Sequence, residues 1–232
     1  MRPERKEDVR TLRLFRDLQP EAFDALLAGS YLQRFPERVV LIHEGEPADF
    51  LHIVTAGAVE LYSSWNGHEC TMAIALPVST FILAAVLKDA PYLMSGRTIE
   101  SSEILMIPAA NIRRTMERDN GFALAMVTEL ADRYRGVIKS TKNLKLRSAT
   151  ERLANYLLQQ HAAQGAGGRV LLPVAKSVLA SLLGMTPENL SRSFATLRAY
   201  GVAVDGATIT LSRLRDLEKL AKPSPFIDDP AR

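Results

Sequence analysis

The stretch KSVLASLLGMTPENLSRSFATLRAYG, Lys176–Gly201, decides how the chain is read. Its first part offers Val178, Leu179, Leu182 and Leu183 as the apolar side of a short helix. Gly184 then supplies the left-handed residue that commonly ends one. Thr186 is an N-cap residue, and Pro187 follows at the first helical position, where a missing N–H costs nothing. From Pro187 to about Tyr200, Leu190, Phe194 and Leu197 recur at spacings of four and three and make one face. The other face carries Glu188, Asn189, Ser191, Arg192 and Ser193, and Gly201 closes the element. Two short helices about a tight turn form the helix-turn-helix arrangement. In it the second helix enters the major groove with its N-terminal side chains on base edges.

The flanks extend this unit. Val202–Val204 and Thr208–Leu211 alternate around Asp205-Gly206, a hairpin signal that reads as a β wing. Ser212 is placed to cap a last helix running to about Ala221. Upstream, Ser148 to about Gln164 reads as a helix with Leu153, Tyr156, Leu157 and His161 on one side, followed by a glycine-rich loop and a short strand at Val170–Pro173. The tail KPSPFIDDPAR contains three prolines and is expected to be disordered.

Before this unit lies the longest helical pattern, about Gly121 to Leu146. Ala123, Val127, Leu130, Tyr134, Val137, Thr141 and Leu144 repeat at 4-3-4-3-4-3, the seam of a coiled coil rather than the wider stripe of a helix lying on a core. It predicts a homodimer through these side chains. Residues 11–29 read as helical. From Tyr31 the period shortens: VVLIHEGEP, DFLHIVTAG, AVELYSSWNG and HECTMAIALP are short β-rich runs, and Asn66-Gly67 marks a hairpin. Phe81–Lys88 suggests a short helix, two more strands follow to Ile107, and a helix starts near Pro108. The resulting fold class is α+β: a β-roll of jelly-roll type with an N-terminal helix over 1–118, a dimerisation helix over 119–146, a winged helix-turn-helix over 147–222, and the tail over 223–232.

The composition is that of a soluble protein, and no apolar run approaches the length needed to span a bilayer; cytoplasmic location is the expectation. One cysteine, Cys70, allows neither an intrachain disulfide nor a cysteine-only metal cluster. The charge is uneven. From Lys139 to Arg198 nine Lys/Arg stand against two Glu, a net of +7 in a chain whose total is +3, leaving −4 for the remainder. A basic C-terminal half beside an acidic N-terminal half suits a nucleic-acid-binding unit joined to a sensor. No nucleophile–base pair, phosphate loop or zinc H-E-x-x-H is present, so an enzyme is not expected.

In this order the elements resemble the CRP/FNR family of bacterial transcription regulators over about residues 10–221. LASLLGMTPENLSRSFATLR is similar to the family's recognition unit, GEPADFLHIVTAGAVELY to its roll, and ERLANYLLQ to the helix leading into its DNA-binding domain. Glu188, Ser191 and Arg192 reproduce the E-x-x-S-R of the FNR branch, which implies a TTGAT-N4-ATCAA type palindrome in double-stranded DNA, with RNA polymerase as a further partner. The chemistry agrees. Arg192 suits guanine O6/N7, Glu188 an amino group of cytosine or adenine, and Ser191 several edges or a phosphate. Thr186, Asn189, Lys176 and Arg198 are assigned to phosphates or capping.

For the signal, departures from the family matter. Cyclic-AMP-binding members carry a Glu for the ribose and an Arg for the phosphate. In the corresponding stretch, FILAAVLKDAPYLMSGR, Leu83-Ala84 and Met94 occupy those places, with Arg97 three residues late. A buried phosphate would be unpaired, so cyclic AMP is not expected. The cysteine cluster of the oxygen-sensing branch is absent, which excludes an iron–sulfur cluster. The apolar segment is similar to the nitric-oxide-responsive DNR/NnrR group, and implies a pocket at Phe81, Leu83, Ala84, Met94 and Ser95, with heme as a candidate cofactor. His43, His52, His68 and His161, with Cys70, a tyrosine or a methionine as other options, are axial-ligand candidates among which the sequence does not choose; the metal is unassigned. Alternatives are a cyclic-nucleotide-responsive regulator, or a cyclic-nucleotide-binding-like module acting on a protein partner.

Overall fold

A computed structural model describes residues 3–229. The chain forms two compact units, residues 1–133 and 134–232. In the first, α1 (Pro3–Arg10) and α2 (Pro20–Leu26) precede β1 (Tyr31–Phe35), β2 (Val40–Ile42), β3 (Phe50–Ala56), β4 (Val59–Trp65), β5 (His68–Ala75), β6 (Ser79–Phe81), α3 (Leu83–Lys88), β7 (Ser95–Thr98), β8 (Ser102–Pro108) and α4 (Ala109–Arg118). The eight strands make two four-stranded antiparallel sheets, β1-β8-β3-β6 and β2-β7-β4-β5. Each sheet mixes early and late strands, which is the jelly-roll winding expected from the short, evenly spaced runs.

Turn chemistry sets the hairpin register. Trp65 pairs with His68 across Asn66 and Gly67, whose φ values of 50° and 78° are those of a two-residue I′ turn. One face of the first sheet (Leu51, Ile53, Leu105 and Ile107) belongs to a core that includes Leu26 of α2 and Ile112 of α4, all essentially inaccessible. That burial is the main stabilising term of this unit.

Two expectations are corrected in this unit. Residues 11–19 form turns between α1 and α2 instead of continuing a helix. There the Arg10 guanidinium donates to the Leu18 carbonyl, closing the segment on itself, while Phe15 and Leu18 plug into the core. The long helix α5 (Asn120–Leu146) is not a body separate from the roll. Phe122 and Met126, one position before the seam set, are buried in the roll's core. Its seam side is the exposed one: Val127 is 56% exposed, Tyr134 67% and Val137 62%.

The second unit continues with α6 (Ala149–Ala163), β9 (Arg169–Leu171), α7 (Lys176–Leu182), α8 (Pro187–Leu197), a 3-10 turn at Arg198–Tyr200, β10 (Val202–Asp205), β11 (Thr208–Leu211) and α9 (Leu214–Ala221). α6 opens with a capping box: Ser148 Oγ accepts from the Glu151 amide while the Glu151 carboxylate accepts from the Ser148 amide. β10, β11 and β9 form the small sheet that includes the wing. Ser212 does not cap α9. Its hydroxyl donates to the Gly201 carbonyl, and Arg213 occupies the cap position.

The tail is corrected as well. Residues 223–229 are not a free coil: Asp228 forms a two-point ion pair with Arg147 at 2.6 and 2.7 Å, and the Lys139 ammonium donates to the Asp229 carbonyl. Residues 230–232 lie outside the described residues. Among the described residues, no helix is long and apolar enough to cross a membrane.

Candidate nucleic-acid interface

α8 is held by its apolar face. Leu190, Phe194 and Leu197 are buried against the unit's interior, with Leu153, Leu157 and Leu179 among its fully buried side chains. The turn before it is fixed twice. Thr186 Oγ accepts from the Asn189 amide, the cap expected from the sequence. Gly184 has φ 62°, and a Cβ there would sit 2.7 Å from Leu144 Cδ2, so the turn lies directly on the last turn of α5.

This mounting leaves Glu188, Asn189, Ser191 and Arg192 exposed on the N-terminal part of α8, together with Thr186 before it. Arg192 Nη2 donates to Asn189 Oδ1 at 2.7 Å, which orients the guanidinium along the helix surface. A hydrogen bond from the Thr186 side chain, the Glu188 amide and the nearby Arg192 charge hold the Glu188 carboxyl below its ordinary pKa. At neutral pH this face therefore presents an acceptor and a donor fork a turn apart.

Ser193 is not part of that face. It is buried and lies 3.5 Å from the Thr150 hydroxyl, because its position rotates it toward α6. Lys176 and Arg198 are exposed at the two ends of the motif, with the Lys176 ammonium 6.0 Å above the Phe194 ring.

One functional residue escaped the sequence reading. Arg152 on α6 is buried and donates to three carbonyls: Arg147 at 2.7 Å, Leu183 at 2.7 Å and Gly184 at 3.2 Å. Its guanidinium takes the orphan carbonyls at the end of α7. Burial alone lowers its pKa. The available signal was a cation set inside the apolar stripe of α6, beside Leu153 and Ala154.

The five residues assigned to an effector pocket have different surroundings. Phe81 and Leu83 are packed in the roll core, Met94 lies against it, Ala84 is exposed on α3, and Ser95 Oγ accepts from the Glu44 amide on the other sheet. Phe81 is opposite His52, and the two rings stack with centroids 5.1 Å apart, which fills the space. Arg97 is committed elsewhere. It sits on the side of β7 away from Gly96, which packs on Ile42 and Leu61 of the core. There it pairs with buried Glu60 at 2.8 Å and with Glu69 at 2.9 Å, and stacks on Tyr62.

An open cavity of about 480 Å³ lies on the other face of the β3–β6 pair, between Leu12, Leu14, Ile53, Val78 and Thr80 and the Glu129–Arg133 turn of α5. Thr80 donates to Glu129, which also accepts from Arg133, and Arg13 pairs with Asp132. None of the residues lining it is a histidine, cysteine, tyrosine or methionine, so it offers no axial ligand to a heme iron. His161 accepts from the Gly168 amide, and Cys70 is exposed on β5.

Comparison with known proteins fits this architecture. The cyclic nucleotide-binding domain family matches residues 32–119 and the Crp-like helix-turn-helix domain family matches residues 151–222. Over 215 residues, 90% of this chain and 95% of the relative, the sequence is 25% identical to a CRP-like cAMP-activated global transcriptional regulator of Mycobacterium tuberculosis. Among solved structures, DNR from Pseudomonas aeruginosa is similar at 27% identity and a TM-score of 0.51, covering 95% of this chain and 99% of that one. FixK2 from Bradyrhizobium japonicum, at 22% identity and a TM-score of 0.73 over 84% of this chain and 98% of that one, shares the fold.

Proposed function

We propose that the chain is a CRP-family DNA-binding transcriptional regulator that acts as a homodimer in the cytoplasm, reads a TTGAT-N4-ATCAA type palindrome and hands the signal to RNA polymerase, a reading supported by the two matched domain families and the mycobacterial relative. The observation that carries this reading is the exposed face of α8. Glu188, Ser191 and Arg192 stand in solvent on a helix whose opposite face is locked, with Glu188 held ionised beside Thr186 and Arg192 oriented by Asn189. In the major groove Arg192 donates to guanine O6/N7 and Glu188 accepts from a base amino group. The seam on α5 brings two such helices together, one per half-site.

Arg192→Ala is expected to cost about 1–3 kcal/mol on the palindrome and to relax the preference at one guanine. A binding titration at fixed salt against duplexes changed at each position reads this. A uniform loss on all sequences makes Arg192 a phosphate contact instead.

The signal we propose is nitric oxide or a shift to low oxygen. Support comes from the apolar replacement of the phosphate cassette and from Arg97, whose guanidinium is engaged by Glu60 and Glu69 on the outer side of its sheet. The open cavity offers no axial ligand to heme. Palindrome affinity measured anaerobically with a nitric oxide donor, and separately with cyclic AMP, separates the readings. A response to the donor alone is expected. A response to cyclic AMP alone restores the cyclic-nucleotide reading, which the matched domain family and the mycobacterial relative favour.

A further inference from the structure

The C-terminal segment lies beyond the matched helix-turn-helix domain, which ends at residue 222. It nevertheless makes a two-point ion pair. Arg147 Nη1 and Nη2 donate to Asp228 Oδ1 and Oδ2 at 2.7 and 2.6 Å, with side chains 7% and 12% exposed. Two parallel bonds in a fork geometry fix direction as well as distance. The carboxylate is itself held: the Ser224 amide donates to Oδ2 at 2.6 Å, and Gln159 donates to Oδ1 at 3.3 Å. One residue on, the Asp229 carbonyl accepts from Lys139, two turns earlier on α5.

Arg147 is the junction itself. It follows the last residue of α5, and the α6 cap Ser148 comes next. Its guanidinium is bound to the tail and to Asn143, while its carbonyl accepts from Arg152, which also holds the Leu183 and Gly184 carbonyls of the turn before α8. A continuous set of hydrogen bonds therefore runs from the tail, through the junction, to the turn that aims the reading helix.

We propose that residues 224–229 are a strap that locks the junction after α5, with Asp228 and Arg147 as positioning residues that set which half-site spacing the dimer accepts. A strapped junction leaves each reading helix one orientation on its stem, and so one separation between the two. A released junction lets each helix swing, and neighbouring spacings become accessible. The inference rests on the dimeric palindrome reading proposed above.

The test uses the full chain, a chain stopped after Pro223, and Asp228→Asn. The truncation keeps the whole matched domain, and the substitution keeps the side chain's size. Each is titrated, at one salt concentration, against duplexes whose half-sites sit at the preferred separation and one base pair to either side. The full chain is expected to prefer one spacing, and both variants to lose about tenfold of that preference, as flexible linkage replaces rigid linkage. Both should keep the base preference at the guanine read by Arg192. An unchanged spacing preference in both variants overturns the strap, including the case where melting temperature falls and the preference does not. If the full chain binds no palindrome, the dimeric reading fails and takes the strap with it.

Discussion

Leu130→Asp combined with Val137→Asp is expected to turn the protein into a monomer and to weaken palindrome binding by about 10²–10⁴-fold, the span over which two linked contacts outbind one. The two positions lie on the exposed seam of α5, Leu130 at 37% and Val137 at 62% exposure, alternating with Val127 and Tyr134 at 56% and 67%. Fully burying an apolar side chain of this size contributes about 1.5–3 kcal/mol, and a two-chain seam would bury each of these four twice. An aspartate on the seam faces its own copy across the axis and must be desolvated without a partner, which reverses the sign of the contribution.

The folded chain should tolerate both substitutions, because neither side chain is in the core. Phe122 and Met126 hold α5 to the roll. Circular dichroism and melting should therefore change little while sedimentation equilibrium reports a monomer. A variant that stays dimeric places the self-association surface elsewhere. A monomer that binds the palindrome as tightly as the parent removes the need for two copies.

Local grammar was legible where a local pattern has one physical outcome. The Thr186-Pro187 start, the Leu190–Phe194–Leu197 face and the Asn66-Gly67 hairpin each follow from a few neighbouring residues, and the structure has all three. Ser193 was misplaced because the helix face curves toward α6, and only the packed unit shows where that boundary falls. Long-range pairings were invisible. Three prolines made the tail look disordered, yet Asp228 finds Arg147 81 residues away. Arg97 sat near the phosphate position in sequence, but strand alternation turns it to the outer face, where Glu60 and Glu69 take it. The apolar residues of 11–19 mimic a helical stripe, although Phe15 and Leu18 reach the core from turns. The effector segment is ambiguous for a related reason. Apolar composition predicts a cavity and a filled core equally well, and at Phe81 the neighbour is the stacked His52 ring.

That same pair carries the second large effect. Acidification from pH 6.5 to 4 is expected to remove about 3 kcal/mol of stability from the roll through His52 alone, taking about 1.4 kcal/mol per tenfold change in proton affinity. The His52 ring is buried between Phe81 and Tyr92, with Nδ1 lacking any hydrogen-bond partner. Burial lowers its pKa from 6.5 to about 4, outweighing the Phe50 backbone hydrogen bond that raises it. The folded roll thus refuses a proton that the unfolded chain accepts throughout this window. Protons drive unfolding as the pH falls through it, and above pH 6.5 both states are neutral and the effect vanishes. His52→Leu keeps the volume and removes the titration. Urea unfolding of parent and variant at steps from pH 8 to 4.5 isolates the contribution, since every other titrating group cancels in the difference. The parent should lose stability relative to the variant on acidification, and the two should run parallel above pH 7. Parallel curves over the whole range would mean that water reaches the imidazole and the ring is not sealed in the roll.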